Sequence, residues 1–178
     1  MIISVDELKQ RIDCGDMSDT KILSWLKSIE STIRAFTQNN FQNRNIRFRA
    51  ESSSNGLLLG DFPFLRIGDT VQISKSGVND GLYTVVNIFE GQTTLDREIF
   101  PVPSNLVTKI EYPADVIQCA VDLFEWKNEF GGKVGIKSES ETLSRHSESV
   151  TYEDSSTLFM GYPTGILKGL SLYCKARF

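Results

Sequence analysis

Residues 68–95 read GDTVQISKSGVNDGLYTVVNIFEGQTTL, and their apolar positions recur with period two rather than 3.6. Val71 and Ile73 alternate with polar neighbours after Gly68-Asp69. Asn79-Asp80-Gly81 is a tight-turn sequence leading into Leu82–Ile88, and Glu90-Gly91 turns the chain again into Gln92–Leu95. Short strands with turns every ~8–12 residues predict a small barrel or curled sheet. Its core is expected to draw on Leu65, Val71, Ile73, Tyr83, Val85 and Leu95.

On both sides of this block the period changes to helical. Ser4 and Glu7 form the S-x-x-E pattern of a capping box, opening a short helix with Val5, Leu8 and Ile12 on one side; Gly15 stops it. Asp19 reads as the cap of a longer helix. Ile22, Trp25, Leu26, Ile29, Ile33 and Phe36 follow as one apolar stripe, ended by Gln38-Asn39-Asn40. A third helix is predicted to start at Pro113, where a missing N–H is harmless, with Asp115 in its first turn. Its inward face is Val116, Ile117, Ala120, Leu123, Phe124 and Phe130, and Gly131-Gly132 terminates it. The fold class is therefore α+β: a small α-helical bundle (1–45 and 112–178) with a small β-barrel-like module inserted at 46–111 and an extended C-terminal arm.

The bulk numbers exclude several classes. At 178 residues, with 40% apolar and 24% charged side chains, the chain has enough material for a core and is neither disordered nor a disulfide miniprotein. The net charge of −4 is spread along the chain, with no basic face for counterion-driven duplex binding. Cys14, Cys119 and Cys174 lie far apart with no CxxC pair, which points to free thiols in a reducing cytosol, Cys119 buried and inert on its helix. The start, MIISVDELKQ, lacks the apolar run of a secretory signal, and no stretch reaches the ~18–20 apolar residues of a membrane span.

No catalytic, cofactor or metal site is expected. His146 is the only histidine, set among Ser144, Arg145, Ser147 and Ser149 in a polar segment without the rigid scaffold that nucleophilic catalysis needs. One histidine and three dispersed cysteines give no zinc spacing. Glu139 with Glu141, or Glu153 with Asp154, read as solubilising pairs. No Walker lysine follows a glycine loop, and no GxGxxG opens a helix.

The ending is more informative. GIKSESETLSRHSESVTYED is too poor in apolar residues to form its own core. Ordering it costs roughly 1–2 kcal/mol per residue, which an arm lying on a neighbour recovers at the interface. The strand-like run Val150, Thr151, Tyr152 is the segment expected to add to a partner's sheet edge. Tyr162 and Pro163, then Tyr173, Lys175, Arg177 and Phe178, are aromatic and cationic groups harder to bury within one subunit; they suit an interface, the other reading being a tail that packs back on its own helices. Trp25 and Trp126 fit either core or interface. Truncation after Lys137 is expected to leave a folded monomer that cannot assemble.

Three passages carry a resemblance: ISVDELKQRI with DTKILSWLKSIESTIRAFTQ at the start; PADVIQCAVDLFEWKNEF leading into GIKSESETLSRHSESVTYED; and the finish GYPTGILKGLSLYCKARF. In this order they resemble the head–tail connector (adaptor, or head-completion) proteins of long-tailed bacteriophages of Gram-positive hosts. Together they cover about half the chain, all of it outside the β-block. The resemblance implies a virion protein, made in the host cytoplasm, that forms a ring under the portal vertex and extends the DNA channel. Implied partners are the portal protein, other copies of the chain in a ring (commonly a dodecamer), and stopper or tail-completion proteins. Double-stranded DNA passes through without sequence-specific binding, and a mildly acidic surface suits that passage. The insertion at 46–111 departs from short members of the family, and RIGDTVQISKSGVNDGLYTVVNI resembles small barrels of phage structural proteins. Competing readings are a stopper or tail-terminator protein, richer in strand, and a small hydrolase using His146.

Overall fold

The computed structural model describes residues 1–131, 138–143, 146–151 and 158–176. The fold is α+β, with four α-helices among the described residues and a closed barrel of six antiparallel strands. The chain divides into two compact units: Asn40–Tyr112 with Met1, and Ile2–Asn39 with Pro113–Phe178.

The first unit is the barrel. Its strands are β1 (Gln42–Ser52), β2 (Leu57–Leu59), β3 (Thr70–Ser74), β4 (Gly81–Phe89), β5 (Gln92–Leu95) and β6 (Asn105–Ile110). They pair in the order β1-β2-β5-β4-β3-β6, and β6 returns to β1. Register shifts between Gln42 and Arg47 and between Val85 and Asn87 bend β1 and β4, and this bending lets short strands close on themselves. All six apolar residues expected inside are there, joined by Ala50, Leu58, Phe62, Ile99 and Val107. At Gly60 the φ of +139° is one that L side chains rarely adopt, and a Cβ would stand 2.6 Å from the Phe62 ring, so any side chain there is strained.

Two details depart from the sequence reading. The connection between β3 and β4 is the six-residue segment 75–80, not a tight turn, with Lys75 and Gly77 in the left-handed region. Asp80 holds it by accepting the Ser76 N–H at 2.8 Å, and that backbone bond keeps its carboxyl below the usual range. Asn79, read as a turn residue, is buried. Its Nδ2 donates to the Phe100 carbonyl (2.8 Å) and Asn105 Oδ1 (3.1 Å), while its Oδ1 accepts the Phe100 N–H (2.8 Å). Tyr83 donates to the Asn79 carbonyl (2.9 Å), and Asn105 donates to the Ala50 carbonyl and Ser52 Oγ (both 3.1 Å). A polar network therefore runs through one end of the barrel, and each member satisfies another.

Thr93, on β5 between Leu58 and Ile88, is fully buried and its hydroxyl has no hydrogen-bond partner among the described residues. An unmet buried hydroxyl costs free energy that an apolar isostere avoids. Thr93→Val is therefore expected to be neutral or to raise barrel stability by up to about 1 kcal/mol, read as the urea midpoint.

The second unit contains α1 (Val5–Arg11), α2 (Asp19–Thr37) and α3 (Ala114–Phe130). The capping box at Ser4 and Glu7 is complete, each side chain bonding the other residue's backbone N–H. Asp19 is the first residue of α2 rather than its cap; Ser18 takes that position, and the Asp19 carboxylate pairs with Lys9 Nζ at 2.5 Å. Gln38 ends α2 in the left-handed conformation. Pro113 is the cap of α3, its ψ of 155° still extended, so the helix proper starts one residue later than predicted. Ile22, Leu26, Ile29 and Ile33 are fully buried, with Val116, Ala120, Leu123 and Phe124 on α3. Trp25 and Phe36 are half-buried at the stripe's margin, and Ile117 and Phe130 likewise on α3.

After α3 the described chain forms β7 (Ser138–Leu143) with β8 (His146–Thr151), then β9 (Leu158–Phe159) with β10 (Tyr162–Pro163), α4 (Thr164–Leu167) and a 3₁₀ turn at Lys168–Tyr173. This returning segment packs on its own unit. Tyr162, Leu167 and Leu170 are buried, and Phe159 meets Phe36 edge-on at 5.5 Å. The Lys175 N–H donates to the Thr37 carbonyl (2.9 Å), and Asn39 Nδ2 to the Tyr173 carbonyl (3.2 Å). Two expectations bear on this segment. Tyr162 and Pro163 are buried within one subunit, because α3 supplies the surface that covers them. Truncation after Lys137 removes core as well as arm.

Candidate functional site

The polar passage after α3 forms a hairpin. Ser138 pairs with Thr151, Glu139 with Val150, Glu141 with Glu148 and Leu143 with His146. Val150 and Thr151 thus lie on β8, in extended conformation, and Tyr152 falls outside the described residues. β7 and β8 make a two-stranded sheet with each other alone, so each has an edge with no described neighbour. A lone hairpin of two strands is marginal in water. Backbone groups on its edges are donors and acceptors available to an added strand.

The remaining predicted interface residues separate. Arg177 and Phe178 lie outside the described residues. Tyr173 is half-buried, and its hydroxyl donates to Asp115 Oδ2 at 3.1 Å; that bond, with some burial and the carboxylate's charge, raises its pKa. Lys175 has an exposed side chain on a backbone tied to α2. Tyr162 accepts a hydrogen bond from Lys127 Nζ at 3.0 Å, and the same ammonium lies 5.0 Å from the Trp25 ring and 5.2 Å from the Tyr162 ring. Trp25 packs on Phe124 (5.4 Å) and Trp126 beside Tyr162 (6.3 Å), both half-buried. Lys127 joins the tail to both helices and escaped the sequence reading, since its aromatic partners lie far away along the chain.

Among the described residues, no group of three or more His, Cys, Asp or Glu is placed to hold a metal ion, and no helix is long and apolar enough to cross a membrane. His146 is a hairpin residue opposite Leu143. The three cysteines are free thiols: Cys14 and Cys119 buried, Cys174 exposed. Burial pushes the Cys119 thiol up to about 12, with the charge of Asp122 adding to it, and burial raises Cys14 as well. Only a thiolate alkylates readily. Brief iodoacetamide treatment at pH 8 is expected to add one adduct, at Cys174, and three after unfolding, as read by intact mass.

No family model matches the chain, and no curated protein matches it in sequence. Among solved structures the chain is similar to one described as the neck of an empty GTA particle computed with C6 symmetry. The identity is 11%, over 99% of this chain and 91% of that one, with a TM-score of 0.36. At that similarity the functional argument rests on this chain's own residues.

Proposed function

We propose that the chain is a structural component of the neck of a phage-like particle: a virion protein that forms a ring under the portal vertex, extends the DNA channel and links head to tail without catalysis. The observation that carries this reading is the polar two-stranded hairpin of β7 and β8, whose strands pair only with each other among the described residues. Such an element has a use when its edges meet another chain. The ordered passages ISVDELKQRI, GIKSESETLSRHSESVTYED and GYPTGILKGLSLYCKARF support the same reading through their resemblance to head–tail connectors. In this account Val150 and Thr151 add to an edge on the portal protein or on a neighbouring copy, Tyr173 and Lys175 border that contact, and duplex DNA passes without base-specific contact.

A second reading, a stopper or tail-terminator ring, is favoured by the closed six-stranded barrel, which together with β7 to β10 gives at least as much strand as α-helix among the described residues. One experiment tests the assignment and separates the two. Residues 138–151 are replaced by a short Gly-Ser linker, and the variant substitutes for the normal protein during particle production. The proposal expects DNA-filled heads without tails, and crosslinks from the unaltered protein to portal. Crosslinks to tail proteins alone favour the second reading, and tailed, infectious particles at normal yield overturn the arm.

A further inference from the structure

β1 carries Arg44, Arg47 and Arg49, all exposed, on a strand whose alternate residues Phe48 and Ala50 face the barrel core. Arg47 Nε donates to Thr108 Oγ1 and Arg49 Nη1 to Ser104 Oγ, each at 2.9 Å. Neither arginine is ion-paired among the described residues. Each guanidinium is thus fixed by a neutral hydroxyl while its other N–H groups remain for an acceptor. Arginine forks match carboxylates in bidentate geometry. Alternate positions on a strand stand about 7 Å apart, so Arg47 and Arg49 form a short row of fixed cations.

The helical unit carries the complementary feature. Asp122, Glu125 and Glu129 follow on α3 at i, i+3 and i+7, one face of the helix, with both glutamates exposed. Asp122 accepts the Gln118 amide at 2.8 Å, and no cation pairs with any of the three among the described residues. Glu125 and Glu129 are about 6 Å apart along the axis, close to the spacing of the two arginines. Glu51 continues the β1 row with the opposite sign, so the basic row is short and suits a short acidic stripe better than a long polyanion.

We propose that the Arg47–Arg49 row of one copy docks on the Asp122–Glu125–Glu129 stripe of a second copy. The contact is head-to-tail, since each copy offers one basic and one acidic face, and such contacts close into rings when the rotation permits. It rests on the ring-forming reading above and supplies that reading with a self-contact separate from the hairpin.

The test uses charge reversal in the full chain: R47E/R49E, E125K/E129K, and a chain carrying all four changes. Self-association is measured by sedimentation velocity at low ionic strength, with circular dichroism as the folding control. The wild-type chain is expected to associate more weakly as salt rises. Each double variant is expected to lose affinity by about tenfold or more, and both the fourfold chain and a 1:1 mixture of the doubles to regain it. E125K/E129K leaves the barrel untouched, so the result stands even where the loss of Arg47 destabilises it. The proposal is overturned if the wild-type chain stays monomeric throughout, or if it associates and both doubles associate equally well. It is also overturned if R47E/R49E loses only duplex-DNA retention, which would make the row a phosphate contact. Association that ignores all four residues removes this contact and leaves the neck reading intact; absence of the protein from particle necks removes the reading itself.

Discussion

Replacing Asn105 by Ala is expected to lower the stability of the barrel by about 3 kcal/mol, although the change removes no apolar core residue. Asn105 is fully buried on β6, and its amide bonds the Ala50 carbonyl, Ser52 Oγ and Asn79 Nδ2. Asn79 in turn holds both the N–H and the carbonyl of Phe100 and receives Tyr83 at its own carbonyl. Truncation leaves the Ala50 carbonyl and part of the Asn79 amide unmet in a dry interior, where each orphaned group costs about 1–3 kcal/mol. Both tryptophans are in the helical unit, so their fluorescence does not report on the barrel. Amide hydrogen exchange in β1, β3 and β6 does, and the expected result is faster exchange there with α2 and α3 unchanged. Barrel exchange within about 0.5 kcal/mol of the normal protein would mean that the network contributes nothing.

The second large effect concerns the C-terminal return. Truncation after Lys137 is expected to unfold the helical unit. The lost segment contains Tyr162, Leu167 and Leu170, each buried to within 3% exposure. Burying a large side chain contributes roughly 1.5–3 kcal/mol, so three together approach the 5–15 kcal/mol that holds a typical domain. Lys127 also loses its Tyr162 partner, and α2 loses the strap from Lys175 to Thr37. Tryptophan fluorescence from Trp25 and Trp126 is the direct probe. A red-shifted spectrum and loss of a cooperative transition are expected for the truncation, against a native spectrum for the chain in which a linker replaces only residues 138–151. A truncated chain with a normal transition would contradict the packing described for the tail.

The core of the barrel was legible because Val71 with Ile73 and Tyr83 with Val85 stand at alternate positions of their strands, between the turn sequences Gly68-Asp69, Asn79-Asp80-Gly81 and Glu90-Gly91. β1 and β6 were not legible one by one. Their inward positions include Ala50, Ser52 and Asn105 beside Phe48 and Val107, so burial there is partly polar and the alternation fades. Asn79 carries a turn signal by residue type, yet it is held inside by Phe100 and Asn105, 21 and 26 residues on. The helical stripes of α2 and α3 read cleanly, since four fully buried residues of α2 recur every three or four positions. The tail stayed open between interface and self-packing because Tyr162 looks exposable in isolation, and its cover comes from α3 across a long gap. The polar composition of residues 138–151 was visible, while their pairing as a hairpin depends on a register that the Ser/Glu repeats of both strands leave almost unmarked.

The central claim is that this chain joins other proteins of a particle, with the 138–151 hairpin as its docking element. Native mass spectrometry of the purified chain mixed with purified portal rings tests it most directly, run in parallel with the linker-replaced chain. The account predicts that the intact chain adds to portal in a fixed stoichiometry and that the linker-replaced chain, though folded, does not. Portal rings that keep their own mass with both chains, or that gain the same mass from both, would contradict it.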